Sequence, residues 1–150
     1  MFRLSPIKLW RKISVIIFLI AVIFTLIGTF SIHDNLVIHW SGAGVPNNST
    51  GKWILWVMLL LVFLSMFTHS SFSKKRSGQN SLSIEMSGAL SSGLAAMWTI
   101  IIIILVTYNF YTMIAIPIIG TIAIVFCYIL LAVIAYIRDR KNIKFKFEYQ

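Results

Sequence analysis

Four stretches of this chain, about Ile13 to Ile32, Trp53 to Phe72, Gly88 to Tyr108 and Met113 to Ile137, contain no Asp, Glu, Lys or Arg. A helix rises about 1.5 Å per residue, so roughly 20 such residues cross a hydrocarbon core of about 30 Å. Lipid offers no partner to an exposed backbone, and segments that cross it fold as helices that close their own hydrogen bonds. The hydrophobic fraction of 59% lies above the roughly 45–50% of water-soluble domains. The expected fold is an all-α membrane protein, one single-domain bundle of four transmembrane helices. Its first apolar segment is longer than the roughly 7–15 residues of a signal-peptide core and lacks an A-x-A-like end, so it reads as an uncleaved anchor.

Charge orients the bundle. Twelve of the thirteen Lys and Arg residues fall in 1–12, 73–87 and 138–150, and only Lys52 falls in 31–52. The positive-inside rule places both termini, an inner loop 73–87 and a basic tail 138–150 in the cytoplasm, with one ordered loop 31–52 outside. The net charge of +9 therefore reads as membrane topology, and nucleic acid is not an expected partner. Trp10 and Tyr136 are expected at the inner interface, and Trp53, Tyr108 and Tyr111 at the outer one. His69, near the end of the second segment, reads as a side chain reaching for the inner interface.

Inside the bundle, Gly88, Ser92 and Ala96 recur every four residues, with Ala89 and Gly93 beside them, which marks a face where a neighbouring helix or a second copy comes close. Pro117 sits in the first turns of its helix, where a missing donor costs least. Asn80 or Ser81 is a candidate cap ahead of Glu85. No ionisable group falls in the central portion of a span, which disfavours ion-coupled transport. Catalytic motifs are missing from the sequence and only four carboxylates are present, Asp34, Glu85, Asp139 and Glu148, so the chain reads as non-enzymatic, without cofactor. His33, Asp34 and His39 match no metal-site spacing, and the lone Cys127 can form no intrachain disulfide.

The outer loop carries the most information. Leu36 to Trp40 is β-branched and aromatic, as an extended stretch requires, and Gly42, Gly44, Pro46, Asn47 and Asn48 read as tight turning. The segment I-H-W-S-G-A-G-V-P-N, followed by Lys52, resembles the signature of a domain family of bacterial membrane proteins that includes the SdpI-type immunity proteins. The resemblance covers roughly residues 13 to 60, and His39, Trp40, Gly44, Asn47 and Lys52 fall on its characteristic positions. Asp34 and Val37 stand where prolines often precede the histidine in that family. The further G-[IV]-R-T-x-x-T region of the immunity proteins has no counterpart here.

The resemblance implies a protein of the bacterial cytoplasmic membrane whose outer loop, through His39, Trp40, Gly42, Gly44, Pro46 and Asn47, meets an extracellular peptide toxin or reports envelope stress. At the other end, Ile143, Phe145, Phe147 and Tyr149 alternate with charged residues, which predicts an extended strand. There Lys144, Phe145, Lys146 and Phe147 are candidate contacts to lipid or to a membrane-protein partner. Two alternatives stand beside toxin immunity: an accessory subunit of a larger membrane complex such as an ABC exporter, and a small transporter.

Overall fold

The apolar segments fold as helices, with a small sheet between the first two. A computed structural model describes residues 6–41, 45–68, 84–113 and 115–147, and the side chains at 6, 7, 84 and 139–147 lie outside that description. In chain order the elements are α1 (Pro6–Ser31), β1 (Leu36–Trp40), β2 (Pro46–Thr50), α2 (Trp53–Ser65), α3 (Ile84–Tyr111) and α4 (Ala115–Phe147). Three helices are long and apolar enough to cross a membrane, over Lys8–Ser31, Glu85–Tyr111 and Ala115–Arg138. The two-stranded sheet departs from an all-α expectation.

The second segment also departs from expectation. It was to cross as far as Phe72, but α2 is a helix of 13 residues, about 20 Å long, and it ends at Ser65. Hydroxyl groups compete for its backbone there. Ser65 Oγ donates to Leu61 O, while Ser91 Oγ of α3 and Thr68 Oγ1 both donate to Ser65 O, each at 2.7 Å. The backbone tightens accordingly, with Met66 N on Phe63 O and Phe67 N on Leu64 O. His69 and the rest of the segment, like Asn80 and Ser81, lie outside the described residues.

The hub of the fold is α3. It packs against α1, α2, α4 and β1, and 56% of its apolar stretch is buried, against 22% in α1 and 17% in α4. A helix enclosed on several sides needs small residues on several sides. Gly88 and Ser92 face α1: a Cβ on Gly88 would strike the Trp10 ring, and Ser92 Oγ lies 3.0 Å from Ser14 Oγ. Ser91 faces α2 through its bond to Ser65. Gly93 faces α4, where a Cβ would come within 2.6 Å of the Tyr128 ring. At about 100° per residue, Ser91 and Gly93 point to nearly opposite sides of the helix. Ala96 is buried as well.

Along α4 a row of sheltered positions repeats with alternating steps of three and four, at Pro117, Gly120, Ile124, Cys127, Leu131, Ile134 and Arg138, with Ile116, Ala123, Tyr128 and the fully buried Ala135 beside it. This is the seam of two long helices packed side by side. Ile118, Ile122, Val125, Ile129 and Val133, on the other face, are exposed and available to lipid. The extended strand expected over 143–149 is overturned, because α4 continues as a helix to Phe147. Adding a residue to an existing helix gains a backbone bond for each residue fixed, whereas a strand needs a partner. Glu148 and Tyr149 lie outside the described residues.

Two aromatic assignments are also corrected. Trp10 and Tyr108, expected in headgroup belts, are buried, at 2% and 3% exposure, whereas Trp53, Tyr111 and Tyr136 are exposed. The Trp10 indole N–H meets Glu85 of α3, and the Tyr108 ring meets Trp40.

Thr112 closes α3 in the left-handed region, at φ 50°, with its N–H on Tyr108 O at 2.6 Å. A β-branched residue is strained there and glycine is not. Thr112→Gly is expected to stabilise the protein by about 1 kcal/mol, read as a higher midpoint of thermal unfolding in detergent. Gly88→Val is expected to cost about 2 kcal/mol in the same measurement, because the Trp10 indole must move away.

Candidate functional site

Residues 36–50 form an antiparallel hairpin laid across one end of the bundle. Leu36 pairs with Thr50, Val37 with Ser49, His39 with Asn48 and Trp40 with Pro46, with irregular steps on either side of His39. The period-two pattern of β1 explains its seating: Leu36, Ile38 and Trp40 pack into the core, while the His39 side chain is exposed. Pro46, Asn47 and Asn48, expected as turn residues, instead form most of β2. The turn itself is closed at Ser41, whose N–H donates to Val45 O and whose Oγ accepts from Val45 N. Gly42 and Gly44 lie outside the described residues.

Three separate tethers fix the hairpin to the helices. The Lys52 ammonium donates to Thr29 O at 3.1 Å and to Ile32 O at 2.8 Å. Those carbonyls belong to the end of α1, which carries no basic residue of its own in its last turn. A cation at a helix C-terminus both fills orphaned acceptors and meets the negative end of the dipole. The second tether is Asn109 of α3, whose Oδ1 accepts from Val37 N at 3.2 Å while its Nδ2 donates to Leu105 O at 2.8 Å. The third is an edge-to-face pair, Trp40 on Tyr108, with centroids 4.7 Å apart, worth about 1 kcal/mol beyond its buried area.

What the tethers leave open is polar. His39 Nδ1 donates to Asn47 Oδ1 at 2.5 Å across the strands, and both side chains are exposed. A shallow hollow of about 390 Å³ lies over this face, lined by Val37, Pro46, Asn47, Asn48 and Ser49. It offers amide and hydroxyl groups and no charge. Trp40, a candidate contact on sequence grounds, points instead into the bundle, and its Nε1 is buried without a hydrogen-bond partner among the described residues. Of the remaining candidates, Gly88, Ser92 and Ala96 line the centre of the bundle, far from the hairpin in sequence. Lys144, Phe145, Lys146 and Phe147 lie on the last turns of α4, and their side chains are outside the described residues.

The opposite end holds a polar cluster that sequence reading did not single out. Glu85, on the first turn of α3, is 1% exposed. Its Oε2 accepts from Trp10 Nε1 of α1 at 2.7 Å, and its Oε1 accepts from Arg138 Nε of α4 at 2.9 Å. One carboxylate thus joins three helices. The available signal was a lone acid at the head of an apolar run, with a tryptophan and an arginine at the matching ends of two other helices. Among the described residues, no three His, Cys, Asp or Glu side chains stand close enough to hold a metal ion. Compared with known protein families, with curated proteins and with solved structures, the chain gives no match.

Removing one partner of a buried ion pair strands the other, which typically costs about 3–5 kcal/mol. Arg138→Gln, which strands the buried carboxylate, is expected to lower stability in detergent by about 3 kcal/mol, and Glu85→Gln by less, because the Arg138 side chain is 23% exposed. The double variant should cost much less than their sum, as a double-mutant cycle in thermal unfolding will show.

Proposed function

We propose that this chain is a non-enzymatic protein of a bacterial cytoplasmic membrane, in which the hairpin faces outward and binds an extracellular peptide, giving immunity to it or reporting envelope stress. The observation that carries this reading is the division of labour in the hairpin. Leu36, Ile38, Trp40 and Lys52 are spent on holding it to the helices, while β2, apart from Thr50, is exposed over its whole length. A rigid element that presents uncharged hydrogen-bonding groups over a hollow is suited to reading a peptide by shape and backbone polarity.

The resemblance to the SdpI-type immunity family supports the same reading. Its characteristic positions here perform connected tasks: His39 bonds Asn47 across the strands, Trp40 seats the hairpin, and Lys52 caps α1. Such a pattern encodes the shape of the platform and leaves the exposed positions Asn48 and Ser49 to set specificity. The distribution of basic residues supports an orientation with both termini in the cytoplasm.

Two measurements test this. In a Cys127→Ala background, Asn47→Cys is expected to react with a membrane-impermeant maleimide in intact cells; labelling only after lysis would refute the outward hairpin. Deletion of the gene is expected to sensitise cells to the cognate membrane-active peptide, with resistance restored by the native chain and not by Asn48→Arg at equal expression and equal thermal stability. Unchanged susceptibility across a panel of such peptides would rule out immunity.

A further inference from the structure

Helix α4 runs past its apolar stretch. Of its 33 residues, the apolar stretch ends at Arg138, yet the helix runs on through Asp139–Phe147. Arg138 is held by Glu85 in the body of the bundle, so the extension leaves from a fixed point. Nine further residues carry the backbone about 14 Å beyond the apolar stretch, a distance comparable to the headgroup layer plus a Debye length.

The sequence of this extension is basic. Arg140, Lys141, Lys144 and Lys146 stand against the single Asp139. At about 100° per residue, Arg140, Lys141 and Lys144 fall within one arc of about 100°, with Lys146 outside it, and Ile143 and Phe147 share a separate arc of about 40°, with Phe145 outside that. Charge across the whole molecule has the same bias. Near the hairpin Asp34 and Lys52 cancel, so the entire excess of +9 lies in the segments that flank the Trp10 end.

We propose that the extension of α4 is a docking arm for anionic lipid headgroups, which holds its cationic arc against the phosphates of a negatively charged leaflet. This rests on the membrane placement above. The extension emerges from a helix able to cross the bilayer, and that places it beside headgroups before any soluble partner can reach it. A basic helix with apolar residues on a neighbouring arc gains from both the charge and the interfacial depth of such a surface.

The test uses the full chain in vesicles. A donor dye is attached at Gln150→Cys in the Cys127→Ala background, with an acceptor dye on the headgroups, in phosphatidylcholine with or without roughly one-third phosphatidylglycerol. Energy transfer is expected to rise about twofold with the anionic lipid and to fall back at about 1 M salt, where the Debye length is about 3 Å. Arg140→Gln, Lys141→Gln, Lys144→Gln and Lys146→Gln together are expected to abolish the rise. Transfer that ignores lipid composition overturns the proposal and leaves an acidic protein surface as the alternative partner. A chain stripped from the vesicles by alkaline carbonate overturns the membrane placement itself, a different failure from an inserted chain whose arm ignores the lipid.

Discussion

A carboxylate with 1% of its surface exposed sits at the point where α1, α3 and α4 converge. Leaving water costs an ionised group several kcal/mol, a loss that only close, well-aimed partners offset. Glu85 has two, and they come from different helices, so neutralising the charge and aligning the helices are one event. Sliding either neighbour by one turn, about 5.4 Å, would separate the bond that neighbour makes. The indole can reach the carboxylate only because Gly88, one turn further along α3, has no side chain in its path. A glycine that looks like generic small-residue packing is therefore a condition for the ion pair.

The other end solves a similar problem with a cation. Three features meet there: α1 stops with unfilled carbonyls, β1 offers a backbone N–H, and α3 ends under a left-handed Thr112. Lys52 fills the first need and Asn109 the second, and Tyr108 gives Trp40 a ring to rest on. None of these contacts is made by the exposed face of the hairpin.

Helix positions were legible in the sequence because they depend on a local property, the absence of charge over a membrane-length run. The small-residue spacing at Gly88, Ser92 and Ala96 likewise pointed to a helix with close neighbours. What escaped was set by tertiary contact. Trp10 and Tyr108 have the amphipathic shape of interface residues, and only their partners, Glu85 and Trp40, distinguish a buried role. The tail pattern I-K-F-K-F fits a strand by period, but cooperativity with the preceding turns of α4 outweighs that period. For α2, hydropathy stays high past Ser65, and the helix ends where Ser91 of α3 takes its carbonyl. At the hairpin, a strand made of Pro, Asn, Asn, Ser and Thr has poor intrinsic propensity and exists because β1 pairs with it.

The two ends of the molecule are consequently different kinds of surface. At the hairpin, charge cancels and the exposed groups are amides, hydroxyls and the imidazole that bonds Asn47. At the Trp10 end the one described carboxylate is committed to Arg138, while Lys8, Arg11 and Lys12 stand within a turn of Trp10 along α1. A field of that kind acts over a Debye length and distinguishes partners by charge rather than by outline. One helix, α3, touches both, with Glu85 on its first turn and Asn109 on its last.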